Sequence, residues 1–141
     1  MAAILILNGP NLNLLGSREP DIYGQLSLEE MMAVVQAHFP EVRIEHLQSN
    51  HEGELVTAIQ RAGAHYLGVV LNAGGYAHTS VAIRDAVAAI NVPVVEVHIS
   101  NLLAREPFRH TSLVGAACVG GIMGLGGEGY RLAVQYLLQR G

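Results

Sequence analysis

The feature that most constrains this chain is a regular alternation of short apolar segments with segments of helical character. Apolar residues dominate positions 2–7, 66–71 and 92–97, positions 42–48 alternate apolar and polar side chains, and a fifth short strand is predicted within 114–122. Apolar strands joined by helical crossovers are typical of a parallel sheet covered on both faces. We therefore predict an α/β fold: a doubly wound, five-stranded parallel sheet in a three-layer sandwich of the flavodoxin-like type.

The helices between these strands are indicated by their end signals. Ser27 followed by Glu30 forms a capping-box pattern for a helix that reaches about His38. Asn50 is the predicted N-cap of a helix that ends near Gly63. The remaining predicted helices are one capped by Thr79 or Ser80 that ends near Ile90, and one over residues 130–139. A chain of 141 residues suits one domain, so residues 1–141 are expected to form a single domain.

The segment after the first strand has an unusual composition. Residues 8–24 are dense in Gly, Pro and Asn, which predicts a loop without regular structure. A loop this long in a compact domain is usually functional. We expect it to close over a ligand and exclude water.

Polar side chains collect after several of the predicted strands. Because ligands in such sheets bind beyond the carboxyl ends of the strands, these side chains predict a site at that edge. They are Asn8, Asn11, Asn13, Arg18 and Tyr23 after the first strand, Ser49, Asn50 and His51 after the second, Asn72, Tyr76 and His78 after the third, and Glu96, His98, Ser100, Arg105 and Arg109 at or after the fourth.

Each of these residues also has an ordinary structural interpretation. Loop asparagines such as Asn11 commonly satisfy turn backbone, and a lone Tyr23 often lies on the surface. Glu96 and His98 are two residues apart on one strand, so they point to the same face and could simply pair in the core. Two titratable groups at the carboxyl edge nevertheless favour a functional role. Asp85 reads as a solvated residue in the middle of a helix.

Composition excludes several classes of function. The net charge is −4 and no basic run occurs, so nucleic-acid binding is not expected. All eight basic residues are arginines, which rules out a lysine Schiff base and a Walker A loop. No apolar stretch is long enough for a membrane span, and no signal peptide is evident. Cys118 is the single cysteine, so we expect a cytoplasmic protein without an intramolecular disulfide. Only 14% of residues are charged, which favours a homo-oligomer.

Metal and cofactor sites are not indicated. Seven histidines are present, but no HExxH or HxxxH spacing and no cysteine pair accompanies them. The turn after the first strand lacks the GxGxxG pattern of a dinucleotide site. We therefore predict no metal and no cofactor.

Three blocks of sequence, in order and at matching spacing, resemble type II 3-dehydroquinate dehydratases. Residues 8–24 read NGPNLNLLGSREPDIYG, residues 71–86 read LNAGGYAHTSVAIRDA, and residues 95–110 read VEVHISNLLAREPFRH. The resemblance extends from Ala3 to the last helix. It implies a flavodoxin-like fold, a dodecamer built from trimers, and cofactor-free dehydration of 3-dehydroquinate to 3-dehydroshikimate in the shikimate pathway. Two roles for that reaction stay open, aromatic amino acid biosynthesis and quinate breakdown.

The resemblance also implies roles for individual residues. Tyr23 is expected to be the general base and His98 the general acid, with Arg18 supporting the base and Asn11 helping to hold a water at the enolate. Apart from the resemblance, the chemistry of an imidazole acid suggests that Glu96, or a hydroxyl, supports His98 by fixing its tautomer. The implied substrate-binding residues are Asn72, His78, Ile99, Ser100 and Arg109, together with Asp85 from a neighbouring subunit.

The chemistry agrees with these roles but leaves alternatives open. A tyrosine is a base only as the phenolate, which needs a nearby permanent cation; Arg18 is the expected source, and Arg109 could add to it. The substrate carboxylate could bind Arg109, or backbone amides at a helix N-terminus near Ser100. The alternative functions are a non-catalytic module that binds a nucleotide or small anion, and an oligomeric scaffold with a degenerate site.

Overall fold

The computed structural model describes residues 1–17 and 19–140, so Arg18, one of the predicted catalytic residues, lies outside the described residues. Five parallel strands form one sheet in the order β2-β1-β3-β4-β5. This order is that of the flavodoxin-like doubly wound fold, so the predicted fold class is confirmed. The strands are β1 Ala3–Asn8, β2 Arg43–Gln48, β3 Gly68–Asn72, β4 Val94–His98 and β5 Gly120–Met123.

Helices cover both faces of the sheet. They are α1 Pro20–Tyr23, α2 Leu28–His38, α3 Glu52–His65, α4 Val81–Ala89 and α5 Glu128–Arg140. Successive side chains of β1 alternate between the faces, as the pleat requires. Ile4 and Ile6 join the core under α2 and α5, whereas Leu5 and Leu7 join the core under α3 and α4. The three-layer sandwich follows from this two-sided burial.

Two of the predicted helix starts are confirmed. The Ser27 hydroxyl accepts from the Glu30 backbone N–H, and the Glu30 side chain accepts from the Ser27 N–H, which completes the capping box of α2. Ser80, rather than Thr79, caps α4 through its hydroxyl, which accepts from Ile83 N at 2.9 Å. The last helix starts two residues earlier than predicted, at Glu128.

The predicted ends of α3 are wrong. His51 takes the N-cap position, and the Asn50 side chain instead accepts from Asn11 N at 3.0 Å, which ties the loop after β1 to the end of β2. Gly63 lies inside the helix, which continues to His65. A Cβ on Gly63 would contact Ile90, so the glycine allows α3 to pack closely on the end of α4 and does not terminate a helix.

The prediction that residues 8–24 lack regular structure is also wrong. A 3-10 turn covers Leu12–Leu14, and α1 is a single helical turn. Pro20 begins that turn because its fixed φ is already helical. Gly24, with φ 83°, ends it in a conformation that favours glycine.

The carboxyl ends of β1 and β3 meet closely. Gly9 N donates to Asn72 O at 2.7 Å, and a Cβ on Gly9 would lie 2.5 Å from the Ala73 carbonyl oxygen. Only glycine permits this approach. It brings the loops after β1 and β3 together at the switch point of the sheet, where a ligand is expected.

The β5 edge of the sheet is apolar and open. Val119, Met123 and Leu125 are all exposed there. In the part of the chain that the structure describes, no helix combines the length and apolarity that crossing a bilayer requires.

Candidate active site

One pocket at the carboxyl edge collects most of the predicted site residues. It is built from the ends of β1, β3 and β4 and from α1, the elements that the switch point brings together. The predicted residues that line it are Asn11, Tyr23, Asn72, His78, His98, Ile99, Ser100 and Arg109.

Tyr23 projects into this pocket from the end of α1. Its phenol oxygen accepts a hydrogen bond from Arg105 Nη1 at 2.8 Å, and the Arg105 guanidinium carbon lies 5.3 Å from the centre of its ring. The same Nη1 donates to Ser100 Oγ at 3.2 Å. The side chain of Arg105 is only 12% exposed. A weakly hydrated, permanent positive charge on the phenol oxygen stabilises negative charge there.

Arg105 lies beyond the fourth strand, and its sequence position indicates no particular role. The sequence predicts Arg18 or Arg109 as the cation beside Tyr23. Arg109 lines the pocket but makes an ion pair with Glu106 at 3.0 Å and lies over the Phe108 ring. Among the described arginines, the one that contacts Tyr23 is therefore Arg105.

His98 occupies the end of β4 and is 6% exposed. Its Nε2 lies 3.0 Å from Glu96 Oε2, although the ring N–H is not aligned as a hydrogen bond. The predicted pairing of these two residues on one strand face is confirmed. Since Nε2 faces Glu96, Nδ1 is the ring nitrogen left for the pocket.

Glu96 is held as a carboxylate behind His98. Burial raises the pKa of Glu96, but the contact with His98 and a hydrogen bond from the Ser112 hydroxyl outweigh burial and lower that pKa below its ordinary value. Gly115 N donates in turn to Ser112 Oγ at 2.8 Å. An ionised Glu96 both orients the imidazole and supplies the negative charge that an imidazolium needs.

His78 completes this side of the pocket. Its ring stacks on that of His98, with centroids 6.1 Å apart, and its Nδ1 lies 2.8 Å from Thr111 O. The second contact anchors the ring to the segment after β4. Among the described residues, no group of three or more His, Cys, Asp or Glu side chains is arranged to hold a metal ion.

Two predicted residues lie away from this pocket. Asp85 is exposed on α4, so it does not reach the pocket of its own chain. Glu96 contacts His98 from behind and lines a neighbouring cavity. The helix N-terminus expected near Ser100 is only the 3-10 turn Leu102–Ala104, and the Asn101 side chain already accepts from Leu103 N.

The Cys118 thiol is a poor nucleophile. Cys118 is half-buried, and burial together with the nearby Glu96 charge raises the pKa of its thiol to about 12. A thiol in that state is inert at neutral pH.

Comparison with known proteins shows the family to which the chain belongs. The chain matches the family model described as dehydroquinase class II over residues 2–138. It is 56% identical to a 3-dehydroquinate dehydratase of Exiguobacterium, which covers 96% of this chain and 94% of that protein, and 51% identical to one of Bacillus subtilis, covering 99% and 96%. The crystal structure of a type II dehydroquinase from Butyrivibrio crossotus superimposes with a TM-score of 0.95 at 42% identity, covering 97% of each chain. The chain therefore belongs to the class II dehydroquinase family.

Proposed function

We propose that this protein is a type II 3-dehydroquinate dehydratase, a lyase that converts 3-dehydroquinate to 3-dehydroshikimate and water. The observation that carries the proposal is that a phenol beside a cation and an imidazole beside an anion line the same pocket. Tyr23 has a guanidinium on its oxygen, and His98 has a carboxylate on its ring. An elimination needs one base and one acid, and these environments suit those two roles.

The reaction proceeds as an anti elimination through an enolate. The Tyr23 phenolate takes the proton from the carbon beside the ketone, and the electron pair of that C–H bond forms the enolate. Arg105 and Arg18 support the charge at the base, and Asn11 helps to hold a water at the enolate oxygen. The enolate then collapses to the conjugated enone as the hydroxyl leaves, and His98 donates the proton that turns it into water.

Substrate binding uses the remaining polar residues of the pocket. Arg109 takes the carboxylate, because a guanidinium matches that group with paired donors. Its partner Glu106 is half exposed and can give way to the substrate. Asn72, His78, Ile99 and Ser100 bind the ring and its hydroxyls, and Asp85 serves the site of a neighbouring subunit.

The wider setting completes the proposal. We place the enzyme in the cytoplasm, in the shikimate pathway, as one catalytic domain over residues 1–141 that needs no cofactor. We further propose a homododecamer built from trimers. Support comes from the open apolar edge at β5 and the low charged fraction of 14%, which favour burial against further copies.

The first experiment measures the absorbance of a conjugated enone when the protein is added to 3-dehydroquinate, with and without earlier borohydride treatment in the presence of substrate. We expect a rise that survives borohydride, because the chain contains no lysine for a Schiff base. No rise from folded protein over a range of pH values would contradict the proposal. Binding of a nucleotide or small anion without turnover would then favour the non-catalytic alternative.

Matched substitutions test the assigned roles. We expect Tyr23→Phe and His98→Asn to fold normally and to lose about 10²–10⁴-fold in kcat, the usual contribution of a positioned acid or base. Tyr66→Phe and His46→Asn remove the same groups outside the pocket and should leave turnover unchanged. Wild-type turnover in either of the first two variants would remove that residue from the mechanism.

A further inference from the structure

We propose that Tyr130, on α5, is a positioning residue that sets the direction in which Asn72 offers its side-chain amide to the substrate. The two residues are 58 positions apart in sequence and meet in the core through a hydrogen bond. Asn72 belongs to the binding residues of the proposed dehydratase, so this inference rests on that function. Tyr130 itself does not line the pocket.

A backbone N–H group sets the orientation of the Asn72 carboxamide and, through it, of the hydrogen bonds of Tyr130. Gly74 N–H donates to Asn72 Oδ1 at 3.2 Å, so the other end of that carboxamide, Nδ2, points away towards Tyr130. Asn72 Nδ2 donates to the Tyr130 hydroxyl at 2.9 Å. Because a phenol has one hydrogen, Tyr130 must give it to its second partner, the Asn8 carbonyl oxygen Oδ1.

Burial makes these contacts obligatory. Tyr130 and Asn8 are fully buried, and Asn72 is 3% exposed, so water cannot replace a missing partner. Burial also raises the pKa of Tyr130, against a smaller opposing effect of the hydrogen bond from Asn72, which keeps the hydroxyl protonated as a donor to Asn8. A phenylalanine would fill the same space in the core, so the hydroxyl is the part of the residue that needs a reason.

The reason is the remaining hydrogen of Asn72. Its Oδ1 is taken by Gly74 and one Nδ2 hydrogen by Tyr130, while no other described residue accepts the second Nδ2 hydrogen. Asn72 lines the pocket, so this hydrogen is available to an oxygen of the substrate. Without the Tyr130 hydroxyl, the carboxamide is held at Oδ1 only and can turn away from that direction.

Tyr130→Phe tests this role through the split between KM and kcat. We expect KM for 3-dehydroquinate to rise about fivefold to tenfold, the effect of one misplaced hydrogen bond, with kcat close to that of the wild type. Tyr136→Phe is the matched control, since it removes a hydroxyl from the same helix at an exposed position and should change neither constant. An unchanged KM in folded Tyr130→Phe would overturn the proposal.

A double-mutant cycle separates positioning from general destabilisation. If Tyr130 acts through Asn72, Tyr130→Phe should have no further effect on kcat/KM in an Asn72→Ala background. An equal effect in both backgrounds would overturn the proposal. Melting curves of all variants report the structural cost separately, because lost core hydrogen bonds lower stability in either background.

Asn8→Ala provides a second route to the same answer. It removes the acceptor of the Tyr130 hydroxyl without altering the aromatic ring, and we expect a smaller rise in KM. If neither Tyr130→Phe nor Asn8→Ala yields folded protein, the contacts serve the fold alone and the proposal fails. A wild-type protein that does not turn over 3-dehydroquinate would overturn the proposed function as well, whereas normal wild-type turnover with unchanged variants overturns this inference only.

Discussion

Arg105 holds the charge that the candidate base requires. Its Nη1 bridges the Tyr23 oxygen at 2.8 Å and Ser100 Oγ at 3.2 Å, and its side chain is mostly shielded from water. A charge-assisted hydrogen bond in such surroundings is stronger than one at the surface. The guanidinium therefore fixes the position of the phenol oxygen and places a permanent positive charge beside it.

Replacing that charge should slow the reaction. We expect Arg105→Gln to lower kcat about tenfold to a hundredfold, the equivalent of one charge-assisted hydrogen bond at about 1.5–3 kcal/mol. Arg131→Gln is the matched control, because Arg131 pairs with Glu128 outside the pocket. Steady-state kinetics of both variants measure the effect, and an unchanged kcat in Arg105→Gln would show that Tyr23 draws its charge from elsewhere.

Glu96 links the site to the pH dependence of stability. Its pKa in the folded protein lies below the ordinary value of 4.5, despite the opposing effect of burial. A carboxyl group with a depressed folded pKa stabilises the protein above its unfolded pKa, and the contribution is lost as pH falls through the folded pKa. The difference in unfolding free energy between wild type and Glu96→Gln should therefore depend on pH.

Urea unfolding at a series of pH values measures that difference. We expect the free energy of unfolding of the wild type, relative to Glu96→Gln, to be greatest near neutral pH and to decline as pH falls below about 4.5. The neutral amide cannot titrate, so it provides the reference. A difference that stays constant across this range would mean that Glu96 is not held as a carboxylate by His98 and Ser112.

Polar residues that follow the predicted strands mark Tyr23, Glu96 and His98 as candidate site residues in the sequence. The same pattern gives no role for Arg105. The strand register places Glu96 and His98 on one face, and this follows from a period of two. Arg105 reaches Tyr23 only because the two 3-10 turns after β4 fold the segment back over the pocket. Contacts 82 residues apart across irregular backbone leave no local pattern.

At the scale of elements, the corner between β1 and β3 builds the pocket. Gly9 N bonds to Asn72 O, and the missing Cβ of Gly9 leaves room for the Ala73 carbonyl. Asn11 and Asn72 reach the same pocket because these two chain segments touch. The atoms that approach Gly9 belong to backbone, so they cannot move aside as the end of a flexible side chain could.

Gly9→Ala should open this corner. A Cβ placed 2.5 Å from a backbone oxygen forces a shift that typically costs about 1–3 kcal/mol of unfolding free energy. The same shift moves Asn11 away from Asn72, so kcat/KM should fall as well. Gly53→Ala is the control, because a Cβ there meets nothing within 4 Å. Equal stability and activity for both variants would show that the corner yields easily.

Strands were easier to predict than the turns between them. Apolar runs located β1, β3 and β4, because burial on both faces leaves a continuous apolar signal. The predicted Asn50 cap failed because its side chain instead accepts from Asn11, 39 residues away. Helical turns such as α1 and Leu12–Leu14 are too short to show periodicity, so composition alone suggested a structureless loop.

At the scale of the whole molecule, the connections between the strands largely determine the strand order. They do not determine the number of subunits in the oligomer. Right-handed crossovers with helices on both faces leave few sheet orders, and 2-1-3-4-5 is among the common ones. The proposed dodecamer rests on family membership and on apolar exposure at the β5 edge. Light scattering should give twelve times the 15.0 kDa chain mass, and a monomeric mass would refute it.

Asp85 makes the assembly testable through activity. It is exposed on α4 and does not line the pocket of its own chain, so any contribution of Asp85 to substrate binding must be made at the pocket of a neighbouring chain. Asp85→Ala and Tyr23→Phe should each be poorly active. Oligomers are then reassembled from equal amounts of both variants. A site is complete when its own chain has an intact Tyr23 and the neighbouring chain has an intact Asp85. Random mixing gives about a quarter of such sites in a closed symmetric assembly.

Turnover of the mixture therefore distinguishes a shared site from a self-contained one. We expect activity near that fraction of the wild-type value. The control mixes Tyr23→Phe with His98→Asn; both residues line the pocket of one chain, so no combination restores an intact site and activity should stay low. Recovery of activity in the control mixture would mean that mixing restores activity without a site shared through Asp85. A mixture with Asp85→Ala that remains inactive, or an Asp85→Ala variant that is fully active alone, would mean that each chain works with its own residues.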